Sequence, residues 1–327
     1  MRTKIPSSAL QRSLPRSSMS SAKDIKRRID SVTDTQKITN AMYLIASTKL
    51  RKARNDLNNT QPYFEALKGE LERIFRTIDH VNSQYFLPEG VEDDDDDPVI
   101  EGKYAYLIIT ADKGLAGAYN QNIVKEASRI IDKRKENVIY VVGEYGRAYF
   151  LKHNYPVDES FHYAAQSPTM DVAREIGAVL IDSFLNNEIK KVYIIYTDFG
   201  NGFEPKTLSF RLLPVHRSYF RGQEEQRTAD GDDIEYFPSM EEVLDNVLPN
   251  YLIGYIYSAL VDSYCSEQNA RMMAMERATD NAQDILDKLN LEYNHVRQSA
   301  ITQEIIEVSA GAKSLKKNKA HRQEGNL

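Results

Sequence analysis

The sequence predicts an α/β fold class: a Rossmann-like sheet domain with helices, plus a long antiparallel coiled coil formed by the N- and C-terminal helices. Short apolar runs alternate with helical segments between residues 104 and 212, which is typical of a largely parallel sheet. Long helical patterns occupy residues 24–81 and 249–310. A helix of about 60 residues is about 90 Å long, too long for the domain between the two patterns. The two helices most simply pair with one another.

The N-terminal helix is predicted from a seam of small and apolar residues. They recur at alternating steps of four and three, which is the heptad spacing of a coiled coil. The seam consists of Ile25, Ile29, Val32, Gln36, Thr39, Tyr43, Ala46, Leu50, Ala53 and Leu57. Ile38, Met42 and Ile45 form a second stripe on a neighbouring face. Pro62 is expected to interrupt or kink the helix.

Composition divides the chain into six segments. The first 22 residues carry four basic residues, seven serines and no acidic residue. This composition resembles an organellar transit peptide, but we favour a disordered leader or a true start at Met19. The predicted segments are the leader (1–22), the N-terminal coiled-coil helix (23–81), an acidic linker (82–103), the α/β domain (104–238), the C-terminal coiled-coil helix (239–312) and a basic tail (313–327).

Charge and cysteine content exclude several classes of protein. A net charge of −6 argues against a general nucleic-acid binder. The single cysteine, Cys265, excludes a disulfide framework and a zinc ribbon. The run Asp93–Asp97 lacks the alternating ligands of a calcium loop, so we interpret it as a solvated loop. No run of apolar residues is long enough to span a bilayer.

The stretch "TADKGLAGAYN", Thr110–Asn120, is the best candidate for an enzyme site. Its two glycines follow an apolar run and open a helical segment, so they could cradle a phosphate. The stretch lacks the third glycine of a dinucleotide fingerprint and the GK[ST] of a phosphate loop. We therefore favour a strand-to-helix turn, with Asn120 near the start of the helix, and predict no catalytic, cofactor-binding or metal-binding residue. A nucleotide-dependent α/β enzyme with coiled-coil arms remains the alternative, and an unrelated coiled-coil scaffold a second one.

The two terminal helices carry the more informative chemistry. Between Lys23 and Arg54 there are nine basic residues and only three aspartates, which suggests an acidic partner surface. Nucleic acid fits this patch poorly, because the patch lacks interleaved aromatic residues. The C-terminal helix ends in "QSAITQEIIEVSAGA", which mixes polar and apolar residues around its circumference. That pattern suits either a shaft held inside a protein sleeve or the end of a coiled-coil seam.

Both helices resemble a known family. The segments "DIKRRIDSVTDTQKITNAMYLIASTKLRKA" (24–53) and "ARMMAMERATDNAQDILDKLNLEYNHVRQSAITQEIIEVSAGA" (270–312) resemble the two ends of the gamma subunit of F-type ATP synthases. The motif I-T-x-E with a following Glu and Gly-Ala (301–312) and "DKGLAGAYN" are similar to that family's motifs. The resemblance covers residues 23–312. The regulatory cysteine pair of the chloroplast form is absent, and the motifs are closer to the bacterial than to the mitochondrial form.

The resemblance implies a non-catalytic rotor that turns inside a hexamer of alpha and beta subunits, where all nucleotides bind. It implies that the α/β domain is a foot bound to the epsilon subunit and the membrane ring of c subunits. The location implied is the cytoplasmic face of the bacterial plasma membrane or, alternatively, the matrix side of the mitochondrial inner membrane. The partner-contact residues implied are Lys37, Met42, Lys49, Arg51, Arg271, Gln298, Thr302, Glu304 and Glu307. Reversal of Arg271 to Glu is expected to uncouple hydrolysis from pumping with assembly retained.

Overall fold

The computed structural model describes residues 22–77, 83–87, 98–134, 136–200, 205–220, 236–237 and 239–324. Almost all of the predicted leader and the Asp93–Asp97 run lie outside the described residues. In chain order the elements are α1 (Ala22–Thr77), β1 (Tyr104–Ile109), α2 (Tyr119–Ile131), β2 (Asn137–Val142), α3 (Glu144–Lys152), α4 (Met170–Leu185), β3 (Lys191–Asp198), β4 (Lys206–Leu213), a 3₁₀ turn (Arg217–Phe220) and α5 (Met240–Glu324).

The α/β class is confirmed by a four-stranded sheet with the order β2-β1-β3-β4. Strand β1 pairs in parallel with both β2 and β3, whereas β3 pairs with β4 in the antiparallel sense. All six residues of β1 are buried, as expected for a central strand covered on both faces. The largely parallel sheet predicted from the sequence therefore has one antiparallel edge strand.

Side chains of β1 alternate between two apolar clusters. Ala105, Leu107 and Ile109 belong to a cluster that contains residues of α1, α4 and α5. Tyr104, Tyr106 and Ile108 belong to a second cluster with residues of α2 and α3. This alternation is the period of two that a strand imposes. The sheet therefore has helices on both faces.

Both long helices continue through a proline. Helix α1 continues through Pro62 to Thr77, so the predicted interruption does not occur. Helix α5 begins at Met240, next to the start of the predicted segment at 239 and nine residues before Pro249. Ser239 caps it, because its hydroxyl accepts a hydrogen bond from the Glu242 amide at 3.2 Å. The spacing from Ser239 to Glu242 is that of a capping box.

The chain divides into two compact units, one made of residues up to 39 and from 278 onward, the other of residues 40–277. In the first unit the amide of Gln36 donates a hydrogen bond to Gln283 at 3.0 Å. The hydroxyls of Thr39 and Thr279 lie 2.7 Å apart. Numbers rise along α1 as they fall along α5, so the two segments run antiparallel. Ile25, from the predicted seam, is buried.

Beyond this pairing α5 continues alone among the described residues. Counting equal steps along both helices from Gln36 and Gln283 places the start of α1 opposite about residue 297. Every side chain described from residue 297 to residue 313 is exposed. The helix itself continues to Glu324, past the end near Ala310 that the sequence predicted.

Candidate partner-contact sites

The glycine-containing stretch folds as a strand-to-helix turn. The side-chain oxygen of Asn120 accepts a hydrogen bond from the Ala111 amide at 2.9 Å, and its nitrogen donates to the Lys113 carbonyl at 3.4 Å. Leu115 and Gly117 both have positive φ, +64° and +55°. A buried asparagine at the start of α2 therefore closes the turn predicted from the sequence.

The start of α3 contacts this stretch, and the start of a helix is a possible phosphate site. Its first three amides already donate hydrogen bonds within the chain. The three bonds join Glu144 to the Asp112 carboxylate, Tyr145 to the Ala111 carbonyl and Gly146 to the Thr110 hydroxyl, at 3.3, 3.1 and 3.0 Å. The Asp112 carboxylate also accepts from the amides of residues 165 and 166. An intrinsic carboxylate thus occupies the anion position.

A cleft of about 240 Å³ lies beside this turn, lined by Lys113, Arg147 and His162 among others. The guanidinium of Arg147 donates to the carbonyls of Phe161 and Glu159, each at 3.0 Å. Its terminal nitrogens are therefore engaged in holding the loop that forms the cleft wall.

The described part of the chain offers neither a metal site nor a reactive cysteine. No group of three or more His, Cys, Asp or Glu side chains is placed to hold a metal ion there. Burial, with a further contribution from the Asp262 carboxylate, raises the pKa of the Cys265 thiol to about 12. A nucleophilic cysteine needs a lowered pKa, so this buried thiol is inert.

Four predicted contact residues lie on α1. Lys37, Lys49 and Arg51 are exposed and Met42 is half-buried. Lys49 follows Met42 by seven residues and shares its helix face, whereas Arg51, nine residues on, lies on the opposite face. The Lys37 ammonium lies 3.1 Å from the Asp34 carboxylate, with both side chains more than two-thirds exposed. Such a pair leaves the lysine available to a partner.

Four more predicted contact residues, Gln298, Thr302, Glu304 and Glu307, lie on the exposed end of α5. Gln298 and Thr302 are one turn apart on one face, and the Thr302 hydroxyl donates to the Gln298 carbonyl at 2.9 Å. Glu304 and Glu307 lie on the other side of the helix. The helix thus presents polar groups in two directions.

Arg271, the ninth predicted residue, contacts its own chain. Its side chain is only 12% exposed and lies 2.6 Å from the carboxylate of Glu267, which is 5% exposed. It also donates to the Gly114 carbonyl at 3.1 Å. Glu267 was not predicted from the sequence, although its spacing of four residues from Arg271 is that of a helical ion pair.

This geometry changes the expectation for the reversal of Arg271 to Glu. Two carboxylates would then lie one turn apart in a nearly buried position, which is strongly unfavourable. The fold would weaken before any partner contact is tested, so retained assembly does not fit this geometry.

Within the described part of the chain, no helix combines the length and apolar character needed to cross a bilayer.

Comparison with known proteins agrees with this architecture. A family model described as ATP synthase matches residues 21–315. The ATP synthase gamma chain of Caldanaerobacter subterraneus subsp. tengcongensis is 40% identical, with 89% of this chain and 98% of the relative covered. That of Alkaliphilus metalliredigens is 38% identical, with 90% and 98% covered.

Solved structures show the same fold. A chain in the cryo-EM structure of Euglena gracilis mitochondrial ATP synthase (OSCP/F1/c-ring, rotational state 3) superposes with a TM-score of 0.60 at 16% identity, covering 91% of this chain and 95% of that one. A chain in the central stalk and c ring of Tetrahymena thermophila mitochondrial ATP synthase superposes with a TM-score of 0.53 at 23% identity, covering 74% and 99%. The match of the family model over most of the chain, together with relatives near 40% identity, is decisive. The chain belongs to the ATP synthase gamma chain family.

Proposed function

We propose that this chain is the central-stalk rotor subunit of an ATP synthase and has no catalytic site of its own. It turns inside a hexamer of alpha and beta subunits and couples proton flow through the membrane ring to ATP synthesis or hydrolysis. The observation that carries the proposal is the similarity to curated gamma chains over 89% of this chain and 98% of the relative.

Asymmetry is the physical basis of this function. Three chemically identical catalytic sites can differ only if something between them contacts each site differently. A pair of helices has no threefold symmetry, so turning it exchanges the states of the sites in sequence. Converting a site from about 1:99 to 99:1 requires about 5.5 kcal/mol of differential interaction. Because a charge-assisted hydrogen bond contributes about 1.5–3 kcal/mol, several contacts must act together.

We propose that α1 and α5 form the antiparallel coiled coil of this rotor. The bonds between Gln36 and Gln283 and between Thr39 and Thr279 support it. The predicted seam of α1 supports it as well, because all ten members are buried or half-buried. Polar residues at the seam fix the register of a coiled coil at some expense of stability.

The contact residues are proposed to act in two groups. Lys37, Met42, Lys49 and Arg51 are proposed to meet acidic surface of the beta subunits. The exposure and positive charge of Lys37, Lys49 and Arg51 support this, and Met42 shares the helix face of Lys49. Gln298, Thr302, Glu304 and Glu307 are proposed to contact the sleeve formed by the hexamer. Their support is that the whole helix surface around them is exposed, with large apolar side chains included.

The sheet domain is proposed to be the foot of the rotor. It would bind the epsilon subunit and the ring of c subunits, and so hold the chain peripherally at the cytoplasmic face of a bacterial membrane. The structurally similar Tetrahymena thermophila chain belongs to an assembly of the central stalk with the c ring, which supports such an arrangement.

Affinity capture tests the proposal. A tagged full-length chain expressed in its native host should recover the alpha, beta and epsilon subunits together in a constant stoichiometry. A matched variant, Ile305→Asp with Val308→Asp on the exposed end of α5, should recover epsilon with less alpha and beta. Capture of the wild-type chain without alpha and beta would contradict the proposal, as would ATP or NAD binding to the purified chain in calorimetry.

A further inference from the structure

We propose that Glu267 and Arg271 form an internal lock, which fixes the loop after β1 to helix α5. The lock makes the loop and the helix turn as one body. The proposal rests on the proposed rotor function, and it assigns Arg271 to transmission of torque inside the chain, where the family resemblance implied a contact with a partner.

The geometry of the pair carries the inference. One guanidinium makes two contacts, to the Glu267 carboxylate at 2.6 Å and to the Gly114 carbonyl at 3.1 Å. The carboxylate lies on the same helix, so it holds the guanidinium in place. The carbonyl lies at the tip of the loop after β1. Arg271 therefore connects α5 to the end of the central strand.

Other elements meet at the same point. Burial raises the pKa of Glu267, while the charge of Arg271 opposes that rise; Asp112 of the loop and Lys49 of α1 also act on the carboxylate. Tyr119, the first residue of α2, is buried nearby, and its pKa is raised by burial and by the charge of Glu267. The lock thus lies where α1, α2, α5 and the loop converge.

A second attachment lies one to two turns earlier on α5. The Ser263 hydroxyl accepts from the Thr197 amide at 3.2 Å, and the Ser266 hydroxyl donates to the Thr197 carbonyl at 3.3 Å. Thr197 lies at the end of β3, the neighbour of β1. Helix α5 is therefore attached at the carboxyl ends of both strands at the centre of the sheet.

An exposed ion pair would not serve this purpose. Arg174 and Asp171 on α4 lie 2.9 Å apart, but their side chains are 60% and 85% exposed, and water competes for such a pair. Glu267 and Arg271 are nearly buried, so neither can leave without an uncompensated charge remaining behind. The pair therefore resists small displacements of the loop against the helix, which is what transmission of torque needs.

The experiment uses the complete ATP synthase containing this chain in inverted membrane vesicles. Protons pumped per ATP hydrolysed are measured for the wild-type chain, Arg271→Gln, Glu267→Gln and Arg271→Lys, with Arg174→Gln as the control. We expect a several-fold loss of pumping per ATP in Arg271→Gln and Glu267→Gln, with hydrolysis retained. Arg271→Lys should lose less, because one ammonium can still reach Glu267. The control should equal the wild type.

Hydrogen exchange of the purified chain tests whether Arg271 positions the loop after β1 or only stabilises the fold as a whole. Amides of residues 114–118 in the purified chain should exchange about tenfold faster in Arg271→Gln than in the wild type, with exchange in β1 unchanged. If Arg271→Gln does not assemble, Arg271→Lys decides, and a wild-type ratio in that variant overturns the lock. Normal pumping in assembled Arg271→Gln, or unchanged loop exchange, also overturns it. Wild-type vesicles that do not couple at all would instead contradict the rotor function.

Discussion

The central strand β1 and the end of α5 both carry apolar residues, but those of β1 are buried and those at the end of α5 are exposed. All six residues of β1 are buried by other parts of the same chain. Every side chain described from 297 to 313 is exposed, and Ile305 and Val308 are 63% and 73% exposed. The comparison shows that the sheet is covered within the chain, whereas no described residue covers the apolar side chains at the end of α5.

The difference has a physical cause. A helix of ordinary length obtains most of its stability from packing of one apolar face. Among the described residues, the end of α5 has no such packing. It has hydrogen bonds within the helix, such as the one from the Gln303 side-chain amide to the Glu307 carboxylate at 3.0 Å. Ile301, Ile305 and Val308 lie within about 60° of one another on one helix face, whereas Ile306 points to the other side. One neighbouring helix could cover the first three but not Ile306 as well. A surrounding sleeve could.

The substitution Gly143→Ala should have the largest effect on stability, because Gly143 lies in the sheet domain, which packs within the chain. Gly143 has a φ of +95°, and a Cβ there would overlap the carbonyl of Thr110 and lie 2.8 Å from its hydroxyl. We expect a loss of more than about 4 kcal/mol in the free energy of unfolding. Urea denaturation measures it. Gly114→Ala is the control, since nothing lies near its added Cβ; equal stability of the two variants would contradict the account.

The substitution Asp262→Asn tests the same interior through pH. Burial, and then the Asp198 carboxylate, raise the pKa of Asp262 from 3.8 to about 7. A raised pKa in the fold means that stability is fully present below about pH 4 and is lost as pH rises to about 7. We expect Asn to recover up to about 4 kcal/mol at pH 8 and little at pH 4. Denaturation at both pH values checks this, and an equal effect at both would refute it.

The substitution Gly117→Ala should have a moderate effect. Its φ is +55°, and the nearest atom to an added Cβ is the Ala270 carbonyl oxygen at 4.0 Å. The backbone strain alone should therefore lower the free energy of unfolding by about 1–2 kcal/mol. Calorimetry with ATP should show no nucleotide binding in either the variant or the wild type. Nucleotide binding lost in the variant would restore the phosphate-cradle interpretation.

The substitution Ile305→Ser should have the smallest effect on the free chain. Its side chain is largely exposed, so we expect a change below about 0.5 kcal/mol. The matched control is Ile108→Ala in β1, where the side chain is fully buried and the expected loss is about 2–5 kcal/mol. Similar losses in both variants would show that the end of α5 is covered within the chain.

Much of the fold was predictable from periodicity, and the exceptions are local. The seam of α1 was identified because its spacing of four and three residues is kept even where the seam residue is polar, as at Gln36 and Thr39. The direction of β4 was missed, although only seven residues separate it from β3, too few for a parallel crossover. The α5 segment was predicted to start at 239, next to the observed first residue Met240, although its helical pattern was recognised only after Pro249, because a proline is unfavourable inside a helix.

The partner contacts of the candidate residues stay predictions, and the structure adds the environment of each side chain. The predicted contacts on the end of α5 lie on open surface, because polar residues all around a helix are a property of the sequence itself. The partner contact of Arg271 stays a prediction, and nothing in the sequence shows that the Gly114 carbonyl, 157 positions away, would accept its hydrogen bond. Contacts between distant segments need the fold.

Hydrogen exchange of the chain free and assembled with its alpha and beta partners tests the central claim most directly. In the free chain, amides of residues 298–313 should exchange much faster than those of β1. In the assembly, the same amides should become protected by at least about tenfold, while β1 stays unchanged. Equal exchange of residues 298–313 in both states would contradict the account.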